Sequence, residues 1–203
     1  MQLIGMMDSP YVRRVAISLR LMGIAHEHQQ ISVFRQMDEF RAINPVIKAP
    51  TLVCDDGTTL MESALILDYL EALADPERSL MPKDLAARRR ALALIGLGLA
   101  ACEKSIQIEY ERKRPKEFHY EPWVARVTGQ LHAAMELLEK AASHANPWLV
   151  TPHMCQADVT VAVAWRFVQY IVPDLVRVTS YAGLAAYAGR VEQLPEFVET
   201  PLE

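Results

Sequence analysis

The chain has 203 residues, 51% of them hydrophobic and 23% charged, with a formal net charge of −4. That balance belongs to a globular protein able to bury a real core, as one large domain or two small ones. The net acidity argues against a nucleic-acid partner, which calls for a basic face.

The first 75 residues alternate short β-like runs with helical patterns. Residues 3–6 read as a strand. Residues 11–22 read as a helix, with Val12, Val15, Ala16, Leu19 and Met22 at helical spacing and Gly23 as its stop signal. Residues 28–33 form a second strand, in which Ile31 and Val33 alternate with polar neighbours, and 34–43 a short helix ended by Asn44-Pro45. Residues 50–54 and 58–61 flank Asp55-Asp56-Gly57, a tight hairpin signal. Residues 63–74 make an amphipathic helix with Ile66, Leu67, Leu70 and Leu73 on one side. The order β-α-β-α-β-β-α predicts a mixed sheet with helices packed against it. Residues 76–83, polar and bounded by Pro76 and Pro82, read as a linker. Beyond them, 84–203 reads as an all-helical domain with helices at 84–112, 122–143, 156–171 and 180–191. Gly96 and Gly98 inside the longest helix each cost about 1 kcal/mol relative to alanine. Close approach of another helix, within the chain or across a dimer, would offset that cost.

Two basic runs, Arg88-Arg89-Arg90 and Arg112-Lys113-Arg114, read as solvated helix faces. No uninterrupted apolar stretch approaches the roughly 20 residues of a membrane span. The first residues lack the charged-then-apolar order of a secretory signal. Cys54, Cys102 and Cys155 are odd in number and far apart. Neither a disulfide framework nor a zinc site is expected, and a reducing compartment, the cytosol, fits. His26 and His28 read as exposed strand residues with no third ligand, so no metal is expected.

Three segments carry side chains with chemistry. Asp8-Ser9-Pro10-Tyr11-Val12-Arg13-Arg14-Val15 opens the first helix, where serine is a favoured cap and proline a favoured first residue. In the segment from Asn44 to Val53, Pro50 stands directly before a β-run. Proline cannot donate to a ladder and belongs at a strand start or in a turn. A trans bond fits that place. A cis bond, comparatively cheap before proline, would turn the N–H and C=O of Ala49 outward as an edge for an extended peptide. Finally, Glu62-Ser63 stands where a strand becomes a helix. Helix N-termini hold carboxylates through unpaired N–H groups and positive partial charge. Ser63 serves equally as a simple cap.

Together, in this order and spacing, these segments resemble the cytosolic glutathione transferase superfamily. The match is Ser-Pro with Arg-Arg-Val after the first strand, Asn-Pro-x-x-Lys-x-Pro-Thr-Leu, and Asp-Gly-x-x-Leu-x-Glu-Ser-x-x-Ile-x-x-Tyr-Leu. It is dense over the first 75 residues and looser beyond, where Tyr110-Glu111-Arg112 with Pro115, Pro122-Trp123, Leu137-Leu138-Glu139 and Trp148-Leu149 before Ala157-Asp158 look like a bacterial branch. The resemblance implies an α/β thioredoxin-like N-terminal domain followed by an all-α helical bundle, and a serine-type enzyme. It implies that Ser9 donates a hydrogen bond to the glutathione sulfur, stabilising the thiolate without being the nucleophile. Ala49 would pair its main chain with the cysteinyl unit, before a cis Pro50. Glu62 and Ser63 would hold the γ-glutamyl end, and Lys48 the glycyl carboxylate. No cofactor is implied; glutathione is a co-substrate. The second substrate would be a hydrophobic electrophile lying between Met6, Met7 and Asp8 and the long helix near Ile106 and Tyr110, although Tyr110 reads as well as a surface aromatic. A homodimer with a detoxifying role, without nucleic acid or membrane, completes the implied picture.

Two departures stand out: Ile47 replaces a polar or small residue of some relatives, and Cys155 replaces the hydroxyl cap expected before Asp158. Two other classes fit the same residues. One is a non-catalytic binding or regulatory protein on this fold. The other is a glutathione-dependent thiol–disulfide enzyme, against which stands the lack of any cysteine near Ser9.

Overall fold

Leu3 and Ile4 are both fully buried although they are adjacent in the strand β1 (Gln2–Ile4), because successive strand residues face opposite sides of a sheet. Residues 1–202 are described by a computed structural model. It groups them into two units, one of Met1–Met81 with the C-terminal segment from Leu194, the other Pro82–Gln193.

In the first unit β1 is followed by α1 (Pro10–Met22), β2 (Glu27–Gln29), α2 (Met37–Ile43), β3 (Thr51–Val53), β4 (Thr59–Met61) and α3 (Ser63–Leu73). The sheet order is β2-β1-β3-β4. Leu3 stands opposite His28 in a parallel pair and opposite Leu52 in an antiparallel one, and Leu52 faces Leu60 across the hairpin. This is the thioredoxin-like arrangement expected from the sequence. Leu3 and Leu52 pack with Val12, Val15 and Leu19 of α1 and Ile66 and Leu70 of α3. Ile4 packs on the other side with Ile31 and Phe40.

The second strand is shorter than its apolar alternation suggests. The Gln29 carbonyl accepts from both Gly5 N–H (3.0 Å) and Ile31 N–H (3.0 Å), closing a tight turn that ends the pairing. Ile31 therefore reaches the core from a loop. The Ser32 hydroxyl accepts from the N–H groups of Phe34 and Arg35, which holds that stretch as a turn and delays α2 to Met37.

The second unit is helical: α4 (Leu85–Arg112), α5 (Glu121–Ala142), α6 (Gln156–Ile171) and α7 (Ala182–Val191). α6 is its core helix, buried continuously from Gln156 to Trp165. At Gly98 a Cβ would stand 3.1 Å from the Thr160 methyl and 3.4 Å from the Thr160 carbonyl oxygen, so α6 lies against α4 there; around Gly96 the space is open. The glycine at 98 thus has a packing reason within the chain, and the one at 96 does not. By length and composition α4 could cross a membrane, an 18-residue stretch of it having a mean hydropathy of 1.4. Here it packs against α5 and α6.

The chain then returns. Helical periodicity predicts one domain over all of 84–203, yet residues from Leu194 onward, including the short helix α8 (Pro195–Val198), group with the first unit. Arg13, 1% exposed, is the reason. Its Nε donates to the Thr200 carbonyl (2.7 Å) and its Nη2 to that of Phe197 (3.4 Å), with the guanidinium 5.9 Å from the Phe197 ring centroid. Arg20 also pairs with Glu199. A buried guanidinium needs acceptors, and the main-chain carbonyls of Phe197 in α8 and of Thr200 just beyond it provide them. The division between the units falls between Met81 and Pro82, within the stretch that reads as the linker.

Candidate active site

The chain leaving β1 passes through a space that only glycine fits. Gly5 has φ +140°, a backbone region that side-chain-bearing residues avoid, and a Cβ there would stand 2.6 Å from a Val12 methyl and 3.1 Å from the Ala49 Cβ. The start of α1 and the loop before β3 are thereby brought side by side. His28 Nε2 lies 2.8 Å from the Gly5 carbonyl and steadies the turn. His28 and His26 are half-buried rather than exposed as expected. His26 contacts the Ile24 carbonyl, and burial lowers its pKa. Among the described residues no cluster of three His, Cys, Asp or Glu side chains could hold a metal.

Ser9 caps α1. Its Oγ accepts from the Val12 N–H at 3.4 Å, a long bond, while its own N–H donates to the Met6 carbonyl. The side chain is half-buried. The bond to Val12 uses an oxygen lone pair, and among the described residues the O–H proton has no acceptor.

The loop from Asn44 to Pro50 is held from within. Asn44, 3% exposed, donates to Thr51 Oγ1 (2.8 Å) and accepts from the Val46 N–H (3.0 Å), and Thr51 Oγ1 donates to the Lys48 carbonyl (2.7 Å). Ile47 has φ 53°, a costly region for a β-branched residue, and packs its side chain toward Ile4, Ile31 and Phe40. The Ala49–Pro50 peptide is cis. Among the described residues neither the N–H nor the C=O of half-buried Ala49 takes a hydrogen bond.

Glu62 turns the chain from β4 into α3 with φ 72° and is exposed. Its carboxylate lies 2.5 Å from Lys48 Nζ, both side chains about half exposed. Ser63, first residue of α3 and 4% exposed, accepts at Oγ from Arg14 Nη1 (3.2 Å). Positive-φ residues other than glycine are costly and cluster at functional sites; here Ile47 lies within the loop and Glu62 at the start of α3.

The site residues expected from sequence thus stand in one region of the first unit: Ala49 beside Gly5 and α1, Lys48 against Glu62, Ser63 tied to α1. Tyr110, on α4 in the second unit, is 52% exposed. Sequence reasoning assigns no role to Arg14, Asn44 or Thr51. Their signal is polarity amid burial: Arg14 lies between Val12 and Val15, both wholly buried, and a polar group there must have a partner.

The glutathione S-transferase N-terminal domain family matches residues 3–78. A glutathione transferase family member from Pseudomonas fluorescens Pf-5, solved with bound glutathione, is 30% identical and superposes with a TM-score of 0.86 over all of this chain and 98% of its own. A glutathione S-transferase from Methylobacterium radiotolerans, solved with glutathione sulfonate, gives a TM-score of 0.90 over 98% and 93% of the two chains, a likeness of fold at 24% identity. A protein of Drosophila melanogaster named "Probable maleylacetoacetate isomerase 2" is 29% identical over 71% of this chain, and the match spans 64% of that relative's length. The chain belongs to the glutathione transferase superfamily.

Proposed function

We propose that the protein binds glutathione and that Ser9 holds its sulfur as a thiolate for attack on a hydrophobic electrophile. A thiol of pKa ~8.5 is mostly protonated at neutral pH, and the thiolate is the nucleophile. A hydroxyl that donates to sulfur, at the positive end of a helix, stabilises the anion, and one unit of pKa requires only about 1.4 kcal/mol. The sulfur's proton leaves to solvent and its electron pair forms the S–C bond. The displaced group departs with the pair it shared, or, in an addition, the neighbouring carbon takes up a proton. The Ala49 main chain would pair with the cysteinyl unit beside Pro50, Ser63 and the start of α3 would take the γ-glutamyl carboxylate, and Glu62 would complete that end. Lys48 would take the glycyl carboxylate, which requires it to exchange its pairing with Glu62.

The observation that carries this reading is the half-buried Ser9 hydroxyl at the start of α1, its proton uncommitted. Turnover of a chlorodinitrobenzene and a panel of other electrophiles tests it. Ser9→Ala as fast as the wild type on every one removes the role of Ser9. Glutathione binding by calorimetry without turnover of any of them leaves a binding protein on this fold.

The isomerase name of the Drosophila relative favours a second reading with the same machinery. The thiolate adds to a conjugated carbon–carbon double bond, the resulting single bond rotates, and the sulfur leaves, so glutathione emerges unchanged. Isomerisation of maleylacetoacetate without consumption of glutathione would select it; no product would discard it.

A homodimer is proposed on the exposed row Leu65, Tyr69 and Leu73, spaced by four on α3, with Met61 nearby in β4. A monomer by light scattering at working concentration contradicts it. A reducing compartment, the cytosol, fits three buried cysteines with no disulfide between them.

A further inference from the structure

Arg14 does more than fill space in α1. It is 2% exposed and donates from Nη1 to Ser63 Oγ at 3.2 Å. A guanidinium has only donors and keeps its charge at every relevant pH. The Ser63 oxygen must therefore be the acceptor, and its own proton is directed away from Arg14. The same contact sets a full positive charge behind the first turn of α3, whose N–H groups already carry positive partial charge. At low local dielectric that charge acts on whatever occupies the helix start.

We propose that Arg14 is a positioning residue that makes the start of α3 selective for a carboxylate. If glutathione is the ligand, as read above, that group is the α-carboxylate of its γ-glutamyl residue. Arg14 then sets specificity by aiming the Ser63 hydroxyl and by disfavouring peptides that bring a neutral or cationic group to the same place.

Calorimetry with two peptides tests this. One is glutathione; the other is 4-aminobutyryl-cysteinyl-glycine, which differs only in lacking that carboxylate. Arg14→Met is expected to weaken glutathione by about tenfold or more, the scale of a lost hydrogen bond to a charged group. The same variant should change the decarboxylated peptide by less than about twofold. Arg14→Lys, which keeps the charge and loses the planar fork, should fall between. Equal losses on both peptides, or none on either, overturn the proposal. Should circular dichroism show that Arg14→Met does not fold, Arg14→Lys and Ser63→Ala carry the same comparison: a loss confined to glutathione supports the proposal, and equal losses overturn it. A wild type that binds neither peptide removes the glutathione reading and this proposal together. A wild type that binds both, with equal losses in the variants, removes this proposal alone.

Discussion

Two helices of this protein start in superficially similar ways and differ in how fully their caps are engaged. α1 begins at Ser9, half-buried, with one long bond from the Val12 N–H. α6 begins at Cys155, 3% exposed, where Asp158, fully buried, accepts from the Cys155 N–H (2.7 Å), the Leu149 N–H (2.9 Å) and the Tyr187 hydroxyl. At α6 the carboxylate is committed to the fold. At α1 a donor is left over. Saturation and burial, more than residue type, separate a cap that only stabilises from one able to meet a ligand.

The largest effect should come from the saturated end. Asp158→Ala strands the buried Cys155 N–H, the partly buried Leu149 N–H and the Tyr187 hydroxyl at once, each bond to a charged group being worth about 1.5–3 kcal/mol. A loss of about 4 kcal/mol or more by urea denaturation is expected from three such bonds; a loss no larger than that of one ordinary hydrogen bond would mean the network is not what holds α6.

Ser9→Ala should divide the other way. Removing a cap costs about 1 kcal/mol of stability. The catalytic loss in kcat/KM should be larger, about 10- to 100-fold, near 1.4–2.8 kcal/mol. A stability loss that exceeds the catalytic one would make Ser9 a cap like any other.

The pH dependence of stability gives a further test of the saturated end. Burial, then the Asp158 charge, pushes the Cys155 thiol up to about 12. Burial likewise raises Tyr187. Above pH ~8.5 the unfolded chain releases the thiol proton while the folded protein keeps it. Stability present below that pH is therefore lost as pH rises toward 12, by up to about 1.4 kcal/mol per unit from this thiol. Denaturation at neutral pH and at about pH 10 should show the fall, and Cys155→Ala should flatten it; an unchanged slope would place the effect elsewhere.

The same contrast between local and distant partners explains which features are legible in the sequence. The elements are legible because apolar spacing is local: Val12, Val15 and Leu19 mark α1 and Ile66 and Leu70 mark α3 without reference to anything distant. Ser9 and Ser63 are legible as helix starts for the same reason. What escapes depends on partners far along the chain. The return of Phe197 and Thr200 to Arg13 runs through main-chain carbonyls, which no side-chain pattern announces. The Lys48–Glu62 pair and the Arg14–Ser63 bond join segments whose proximity only the sheet creates. Cys155 reads as a missing hydroxyl, yet Asp158 carries the cap through its bond to the Cys155 N–H.

The most direct test of the central claim is the ionisation of bound glutathione, followed by the ultraviolet absorbance of its thiolate against pH. With the wild type the sulfur should titrate at least about one unit below its free value of ~8.5, and with Ser9→Ala about one unit higher than with the wild type. Superimposable titrations of the two proteins would contradict the assignment of that hydroxyl to the sulfur.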